Sequence, residues 1–472
     1  MPLEGPATTI GEHGFPDEEG RLRISLAVTV VTVLAAAPSL GAQETHPLLS
    51  IDGRLGDYGL ADLDSVLRGR VALVRDPAGV RIALQLLRST LAPAVSAGES
   101  TPPSDPPPDG PVATGLNALW VWNTRELLQS TSERKTFLDF VEAQAIQRVF
   151  LYLPAAEGEQ PTAGYIPFDG GALAPLLAEL HRRGALTYAL DGDPYYVLEE
   201  NHAGVLRTVE RVVDYNRSHE PEERFFGMRY DVEPYLAQGF QGPRRQQILD
   251  GYVALLAKVA AVTQRAGLEL GADIPFWFDE GDEETGEPFE AVLHGIRGSV
   301  LDHVMAHVDD VGIMAYRTRA DGPNGVLLQS SGEMARGRAG DVGVFVGVET
   351  THLYDEELYT FRGTPRVGLP TLRDATWIVL EDRGEDLVRV WFASGGEALD
   401  ELARQTPNPN ALRTWFAGQP VAVPGDLLSF YALGQDAMDI LTSRVVQHFG
   451  ADPAFLGLAF HDYRGLSALL KR

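Results

Sequence analysis

The 472-residue sequence contains no cysteine, which excludes disulfide bonds, thiolate metal sites and cysteine nucleophiles. Basic residues are also scarce, because 39 Lys and Arg stand against 66 Asp and Glu, giving a formal net charge of −27. A surface with this charge repels nucleic acid and anionic membranes, so we expect neither as a partner. The fold must be stabilised by an apolar core rather than by covalent cross-links.

Three sequence motifs are missing as well. The 11 histidines show no HExxH or other metal-ligand spacing, so a zinc hydrolase is not expected. There is no GxSxG elbow, which disfavours a serine hydrolase, and no strand is followed by a glycine-rich phosphate loop. The sequence therefore predicts no metal and no cofactor.

A short apolar stretch near the N-terminus has the pattern of a secretory signal. Arg21 and Arg23 precede an apolar run from Ile24 to Ala37, and small residues follow up to Ala42. The run is shorter than the roughly 20 residues that span a membrane, and a buried helix is the alternative. We therefore expect residues 1–42 to be a leader with a signal peptide, and the mature chain to be exported to the periplasm or beyond, with no membrane span.

Two further segments precede the main domain. Residues 43–95 contain two apolar runs, 71–74 and 80–86, around an Asp-Pro-Ala-Gly turn, which predicts a β-hairpin in a small β-rich accessory segment. Its opening IDGRLGDY resembles the start of family 9-type carbohydrate-binding modules. Residues 96–113 hold six prolines without an apolar period and indicate an extended linker.

The remaining residues, 114–472, alternate short apolar runs with amphipathic stretches, the pattern of parallel strands joined by helices. Eight strands are predicted, at 116–123, 148–154, 185–193, 225–234, 268–278, 310–318, 342–351 and 455–463. Eight such units predict an α/β fold, a (β/α)8 TIM barrel, with a doubly wound open sheet as the alternative. The long gap before the eighth strand predicts a small β-rich insertion at about 365–425, on the C-terminal face.

The fourth predicted strand carries the most informative motif, RYDVEPY. Period two places Arg229, Asp231 and Glu233 on one face, so both carboxyl groups point inward at the end of the barrel where active sites are built. A cation two residues away is expected to keep Asp231 ionised. Glycosidic cleavage needs a carboxylic acid that protonates the leaving oxygen and a second group at the anomeric centre, and this pair supplies both.

The segment FGMRYDVEP resembles the fourth-strand signature of family 18 chitinases and related endo-hexosaminidases, and GIMAYR resembles their sixth-strand motif. The resemblance implies a TIM-barrel glycoside hydrolase with Glu233 as the catalytic acid. It also implies that Asp231 orients the acid and the acetamido group of the substrate, and that the Tyr316 hydroxyl supports the acetamido carbonyl. The chain differs from that family at Arg229, where an inner Asp is usual, and at the end of its eighth strand, which lacks the usual Trp.

A second template within the same fold stays open. The chain is similar to clan A retaining glycosidases in having a Glu at the end of the seventh strand as well as of the fourth, which implies that Glu349 is a nucleophile. Gly343 and Gly347 share the face of Glu349, and we expect them to leave room for a ligand. A non-catalytic, chitinase-like lectin is the alternative outside enzymes.

Polar and aromatic residues at the other strand ends are candidates for carbohydrate binding, because such side chains hydrogen-bond or stack on sugars. The predicted substrate-binding residues are Trp122, Asp191, Asp193, Tyr195, Arg229, Asp273, Trp277, His461 and Tyr463. The partner is therefore expected to be an oligo- or polysaccharide. The sequence leaves the sugar, the linkage and the oligomeric state open.

Overall fold

A computed structural model describes the main domain and parts of the N-terminal region. The described residues are 15–16, 22–23, 49–54, 70–76, 79–85, 116–153, 171–237, 240, 244–281, 288–322, 324–360, 366–384, 387–416 and 421–472. The predicted signal peptide lies outside them except for Leu22 and Arg23, and the predicted linker lies wholly outside them.

Eight parallel strands form a closed barrel, which confirms the predicted fold class. In chain order they are β1 (Leu116–Val121), β2 (Ile146–Tyr152), β3 (Leu186–Asp191), β4 (Gly227–Tyr230), β5 (Glu269–Pro275), β6 (Asp310–Met314), β7 (Gly343–Glu349) and β8 (Phe455–His461). Each pairs with the next, and β8 pairs with β1, which closes the barrel. The alternative of an open sheet is therefore wrong.

The barrel interior is filled by side chains that alternate along the strands. Ala118 and Trp120 of β1 and Tyr188 and Leu190 of β3 point inward, as period two requires, and pack with Phe150 of β2. Trp120 and Phe150 meet edge to face, with ring centroids 5.5 Å apart. The lower part of the barrel is thus a packed core, and the strand ends are left to carry the site.

Helices cover the barrel because their apolar residues recur at three and four positions. The helix Arg245–Ala266 buries Ile248, Leu249 and Tyr252 on one face and ends at Gly267, whose φ of 70° is left-handed. The α-helices are Thr124–Gln129, Thr131–Ala143, Leu173–Arg182, Glu199–Ser218, Arg245–Ala266, Val300–Met305, Val326–Gln329, Ser331–Gly340, Gly395–Gln405, Gln435–Phe449 and Tyr463–Leu469. Short 3-10 helices occur at Pro194–Val197, Pro221–Glu223, Pro234–Leu236, Pro409–Ala411 and Gly425–Leu427.

The chain divides into two units, and the smaller one includes both the N-terminal region and Tyr354–Ala422, which are distant in the sequence. The predicted hairpin is present, since Arg70–Asp76 pairs antiparallel with Gly79–Gln85. On its other side Arg70–Asp76 pairs antiparallel with Glu356–Thr360. In a second sheet, Leu49–Arg54 pairs with Leu387–Ser394. Strands of the N-terminal segment and of the insertion therefore share sheets, a pairing that local sequence patterns do not reveal.

The smaller unit has a core of its own. Trp377, Trp391 and Leu412 of its sheet pack with Leu399 and Leu402 of the helix Gly395–Gln405. The other strands outside the barrel are Phe15–Pro16, Leu22–Arg23, Glu290–Leu293, Ile296–Ser299, Arg366–Val367, Thr376–Gly384, Leu412–Phe416 and Val421–Val423. Among the described residues, no helix is long and apolar enough to cross a membrane.

Candidate active site

The two carboxyl groups of the RYDVEPY motif stand just beyond the C-terminal end of β4. The strand ends at Tyr230, and the backbone N–H of Asp231 donates to the carbonyl of Asp191 at 2.9 Å. Gly192 permits this approach, because a Cβ on it would lie 2.0 Å from the Asp231 carbonyl oxygen. The chain then enters the 3-10 helix Pro234–Leu236, so Glu233 is held at a turn rather than in a strand.

Glu233 is a half-buried carboxyl that favours its protonated form. Burial, and then the neighbouring carboxylate of Asp231, raise its pKa well above the usual range, while His461 acts in the opposite direction. The hydroxyl of Tyr235 donates a hydrogen bond to Oε1 of Glu233. A carboxyl that keeps its proton at neutral pH is the form required of a general acid.

Asp231 retains a proton more readily than the sequence predicted. Burial, followed by repulsion from Asp273, raises its pKa to about 7, although His461 and Arg229 lower it. The expectation that Arg229 keeps Asp231 ionised is therefore wrong. Oδ1 of Asp231 is buried without a hydrogen-bond partner among the described residues.

Arg229 forms ion pairs with two other carboxylates inside the barrel, those of Asp273 and Asp310. Its Nη2 lies 2.7 Å from Oδ1 of Asp273, and its Nη1 lies 2.5 Å from Oδ1 of Asp310. Trp120 donates its indole N–H to the other oxygen of Asp273 at 2.9 Å, and the guanidinium stacks 4.0 Å from the centroid of the Phe150 ring. Arg229 and Asp273 are 0% and 1% exposed, so neither presents a surface to a substrate, contrary to the prediction for both.

Two glycines make room for this guanidinium. A Cβ on Gly312 of β6 would lie 2.2 Å from Nη2 of Arg229, and one on Gly271 of β5 would lie 2.5 Å from Nη1. Both strands pair with each other in a register that sets Gly271 opposite Asp310 and Asp273 opposite Gly312. The alternation of glycine and aspartate across the two strands therefore forms a cradle for one buried cation.

Glu349, at the end of β7, is buried and accepts three hydrogen bonds. Its Oε1 accepts from the backbone N–H and the hydroxyl of Thr351, each at 2.6 Å. Its Oε2 lies 2.9 Å from Nδ1 of His461, its register partner on β8. Both carboxyl oxygens of Glu349 therefore have partners within the protein.

Both ring nitrogens of His461 have hydrogen-bond partners. Besides its contact with Glu349, its Nε2 lies 3.0 Å from the indole nitrogen of Trp122. Burial disfavours a charge on the ring, but attraction to Glu349 outweighs it and raises the pKa of His461 to about 9. The indole N–H can only donate, so it binds an unprotonated Nε2. The two partners of His461 thus act in opposite directions on its charge.

Tyr316, just after β6, lies in the same group. Its ring centroid is 5.7 Å from that of His461, and burial followed by the charge of Glu349 raises its pKa well above the usual range, so the phenol stays protonated. Gly347 accommodates it, since a Cβ there would lie 3.1 Å from the Tyr316 ring. At Gly343 the space is taken by Leu456. The expectation that these glycines open room for a ligand is wrong.

The carboxyl groups at the end of β3 and just after it are hydrogen-bonded by the loop that follows. Asp191 accepts from the backbone of Gly192 at 2.9 Å and from the hydroxyl of Tyr196 at 3.1 Å, and burial raises its pKa to about 7. Asp193 accepts from the backbone N–H of Tyr195 at 2.7 Å and caps the 3-10 helix that follows. Asp193 therefore has a structural role as a cap, while the half-buried Tyr195 keeps part of its surface exposed.

Two predicted aromatic residues are buried by packing against other rings. Trp277 is 0% exposed and packs against Tyr235 and Phe289 in the core. Tyr463 begins the last helix and packs against Phe137, with ring centroids 4.8 Å apart. Both predictions of sugar stacking fail in this structure, because neither ring offers an open face.

Sequence reasoning missed three residues that shape the site: Tyr235, Asp310 and Trp120. Tyr235 follows Glu233 at a spacing of two, which could have indicated a donor to the acid. Asp310 starts β6 instead of ending it, so a search of strand ends overlooks it. Within the described residues, no cluster of three or more His, Asp or Glu has the arrangement of a metal site.

No protein-family model matches the chain, and no curated protein shows significant similarity to it. Among solved structures, it is similar to the C-terminal domain of a putative chitinase from Desulfitobacterium hafniense DCB-2, with 11% identity over 76% of this chain and 98% of that one and a TM-score of 0.40. It is also similar to the spore cortex-lytic enzyme SleL of Bacillus megaterium QM B1551, with 9% identity over 82% and 75% of the chains and a TM-score of 0.38. At these values the likenesses carry no argument about activity, and the barrel rests on its own strand pairing.

Proposed function

We propose that this protein is a glycoside hydrolase that cleaves an oligo- or polysaccharide, with Glu233 as the general acid. The observation that carries the proposal is the state of Glu233, a half-buried carboxyl at the C-terminal end of β4 whose pKa lies well above its usual range. Burial holds the proton on the carboxyl until a leaving oxygen can receive it. The position agrees with the end of the barrel at which such enzymes place their chemistry.

The partner of the acid is proposed to be Asp231, with help from Tyr316. Asp231 is half-buried and its Oδ1 has no hydrogen-bond partner among the described residues, so a rotation of the carboxyl would let this oxygen accept from a substrate N–H. The phenol of Tyr316 stays protonated and so can donate to a carbonyl oxygen. The resemblance to family 18 implies a substrate with a 2-acetamido group in that position, which would itself attack the anomeric carbon.

The other mechanism uses Glu349 as a direct nucleophile. Its hydrogen bonds to Thr351 and His461 and its 4% exposure favour it less than substrate assistance. Product analysis on a panel of glycans that includes 2-acetamido polymers would identify the class of sugar and distinguish endo from exo cleavage.

The test of the acid is Glu233→Gln, which keeps the shape and removes the transferable proton. We expect it to reduce hydrolysis by at least about 1,000-fold while retaining binding of the substrate by calorimetry. The matched control is Glu210→Gln, on an exposed position of the helix Glu199–Ser218, which should keep wild-type rates. Wild-type activity in Glu233→Gln contradicts the assignment.

A carbohydrate-binding protein without activity is the competing function. It predicts that the wild type binds oligosaccharides but releases no product on long incubation. Export is proposed from residues 21–42 alone. Cell fractionation with N-terminal sequencing tests it, and a mature chain that begins near residue 43 outside the cytoplasm is the expected result.

A further inference from the structure

The hydrogen bonds of Glu349 go to Thr351 and His461, which indicates that it acts on His461 rather than on the substrate. A carboxylate offers about four acceptor positions, and three donors occupy Glu349: two from Thr351 at 2.6 Å and one from His461 at 2.9 Å. The side chain is 5% exposed, compared with 25% for the side chain of His461. The imidazole is therefore the more accessible member of the pair.

The two hydrogen-bond partners of His461 fix the orientation of its ring and the tautomer of its neutral form. Because the indole of Trp122 is only a donor, Nε2 of His461 accepts and the proton of the neutral ring resides on Nδ1, where it is donated to Glu349. The ring packs against those of Tyr316 and Trp120, with centroid distances of 5.7 and 5.9 Å. Its freedom to turn toward another partner is therefore small.

The charge of His461 is felt by the proposed acid and its partner. A positive ring lowers the pKa of both Asp231 and Glu233, opposing the burial that raises them. The ionisable groups that act on the ring itself are Glu349, which hydrogen-bonds it, and Asp462 and Asp231, which attract its positive charge. Tyr316 faces it as a protonated phenol.

We propose that Glu349 is a positioning residue that acts through His461: its hydrogen bond to Nδ1, set against the indole donor at Nε2, fixes the orientation and the protonation of the ring, on which the proposed catalytic pair depends. This inference rests on the proposed function for its catalytic consequence. It assigns Glu349 no bond to the substrate, in contrast to the nucleophile that its position at the end of β7 suggests. Trp122 opposes Glu349, because its indole N–H favours the neutral ring with an unprotonated Nε2, whereas Glu349 favours the charged ring.

The central test is Glu349→Gln in the full chain. Titration of His461 by nitrogen-15 NMR, assigned by comparison with His461→Gln, should show its pKa lowered by about 1 unit or more, because the attracting charge is gone. Trp122→Phe should change it in the opposite direction, since the opposing donor is removed. The exposed control Glu210→Gln should leave it unchanged. An unaltered His461 titration in Glu349→Gln overturns the proposal.

Kinetics separate this role from that of a nucleophile. In Glu349→Gln the acid limb of the kcat/KM profile should move to higher pH, because Asp231 loses a stabilising positive charge, and kcat/KM at the optimum should fall by about 10–100-fold. In Glu349→Ala, azide should neither restore turnover nor yield a glycosyl azide. Formation of a glycosyl azide identifies Glu349 as the nucleophile and overturns the proposal.

The two hypotheses fail in different ways. A wild type that binds glycans without releasing product refutes the proposed function, whereas the NMR titration still decides whether Glu349 controls the charge of His461. A hydrolase whose acid limb does not respond to Glu349→Gln keeps its function and refutes the inference.

Discussion

Nη2 of Arg229 lies 2.7 Å from Oδ1 of Asp273, and both side chains are excluded from solvent inside the barrel. Asp310 binds the same guanidinium from β6, so one cation neutralises part of two buried negative charges. The attraction offsets the desolvation of all three groups only while the set is complete. This network explains how an arginine can occupy the inner face of β4 next to two proposed functional carboxyls.

The first prediction concerns the loss of that cation. Arg229→Met should destabilise the protein by about 3–5 kcal/mol, because it leaves Asp273 and Asp310 buried without compensation. Urea unfolding followed by tryptophan fluorescence measures the change. Adding Asp273→Asn and Asp310→Asn should recover part of the loss.

The control for Arg229→Met is Arg217→Met, which removes an arginine from the exposed pair with Asp214. Their side chains are 74% and 73% exposed, so water screens the interaction and little change in stability is expected. Equal effects of the two substitutions would show that the buried network contributes no more than a surface pair.

The second prediction concerns the glycine cradle. Gly312→Ala places a methyl group 2.2 Å from Nη2 of Arg229 and 2.5 Å from Oδ1 of Asp273, so the ion pair must shift. We expect a loss of about 1–3 kcal/mol, as for other overpacked interiors. Gly340→Ala is the control, because its methyl group would meet Val342 at an ordinary 3.7 Å. Similar midpoints for wild type and Gly312→Ala in thermal unfolding would contradict the close packing.

The sequence predicts the barrel well because its strands are buried on both sides and appear as continuous apolar runs. Strand order and period two predict Asp231 and Glu233 at one end of the barrel, whereas Tyr316 is predicted only from the resemblance of GIMAYR to the family 18 motif. The partners of Arg229 escaped prediction because period two gives the face of a strand but not which distant strands meet there. Glu349 and His461 are brought together by the register of β7 with β8, which no local pattern encodes.

Strand ends account for the remaining differences. The predicted fifth strand extends to residue 278, but β5 ends at Pro275, so Trp277 belongs to the following turn and enters the core. The predicted eighth strand extends to residue 463, but β8 ends at His461. Asp462 then caps the next helix by accepting from the N–H of Gly465, which directs Tyr463 away from the strand-end group. A shift of two residues at a strand end is enough to move a side chain from one environment to another.

The third prediction is the pH dependence of hydrolysis. Burial raises the pKa of both Asp231 and Glu233; repulsion from Asp273 adds to it at Asp231, whose pKa is about 7, and repulsion from Asp231 adds to it at Glu233. The active form carries one proton on the pair, so kcat/KM should rise as pH increases through about 7 and fall at higher pH as the acid ionises. Initial rates on a cleaved aryl glycoside across this range measure the profile.

Asp231→Asn provides the matched variant for this profile. It removes the group that titrates first and also the charge that raises the pKa of Glu233. We expect the acid limb near pH 7 to disappear, the alkaline limb to move to lower pH, and kcat/KM to fall at least about 100-fold. An acid limb unchanged in Asp231→Asn would assign it to another group.

The last prediction uses a carboxyl outside the site. Glu333, on the helix Ser331–Gly340, is 0% exposed, and neither of its carboxyl oxygens has a partner from another residue in the described part of the chain. Burial, and then the nearby charge of Asp279, raise its pKa well above the usual range. The folded state therefore holds a proton that the unfolded state releases above the ordinary Glu pKa of about 4.5.

That difference fixes the sign of the pH effect. Since the folded state binds more protons above about pH 4.5, the contribution of Glu333 to stability falls as pH rises toward its folded pKa. Glu333→Gln removes the titration, so its free energy of unfolding relative to wild type should increase by at least about 1.4 kcal/mol between pH 5 and pH 8, the equivalent of one pKa unit. Urea unfolding at both pH values measures it, with the exposed Glu210→Gln as a control that should show no such increase. If Glu333→Gln and wild type lose stability in parallel, the buried carboxyl is ionised in the folded protein, and another group must then compensate its charge.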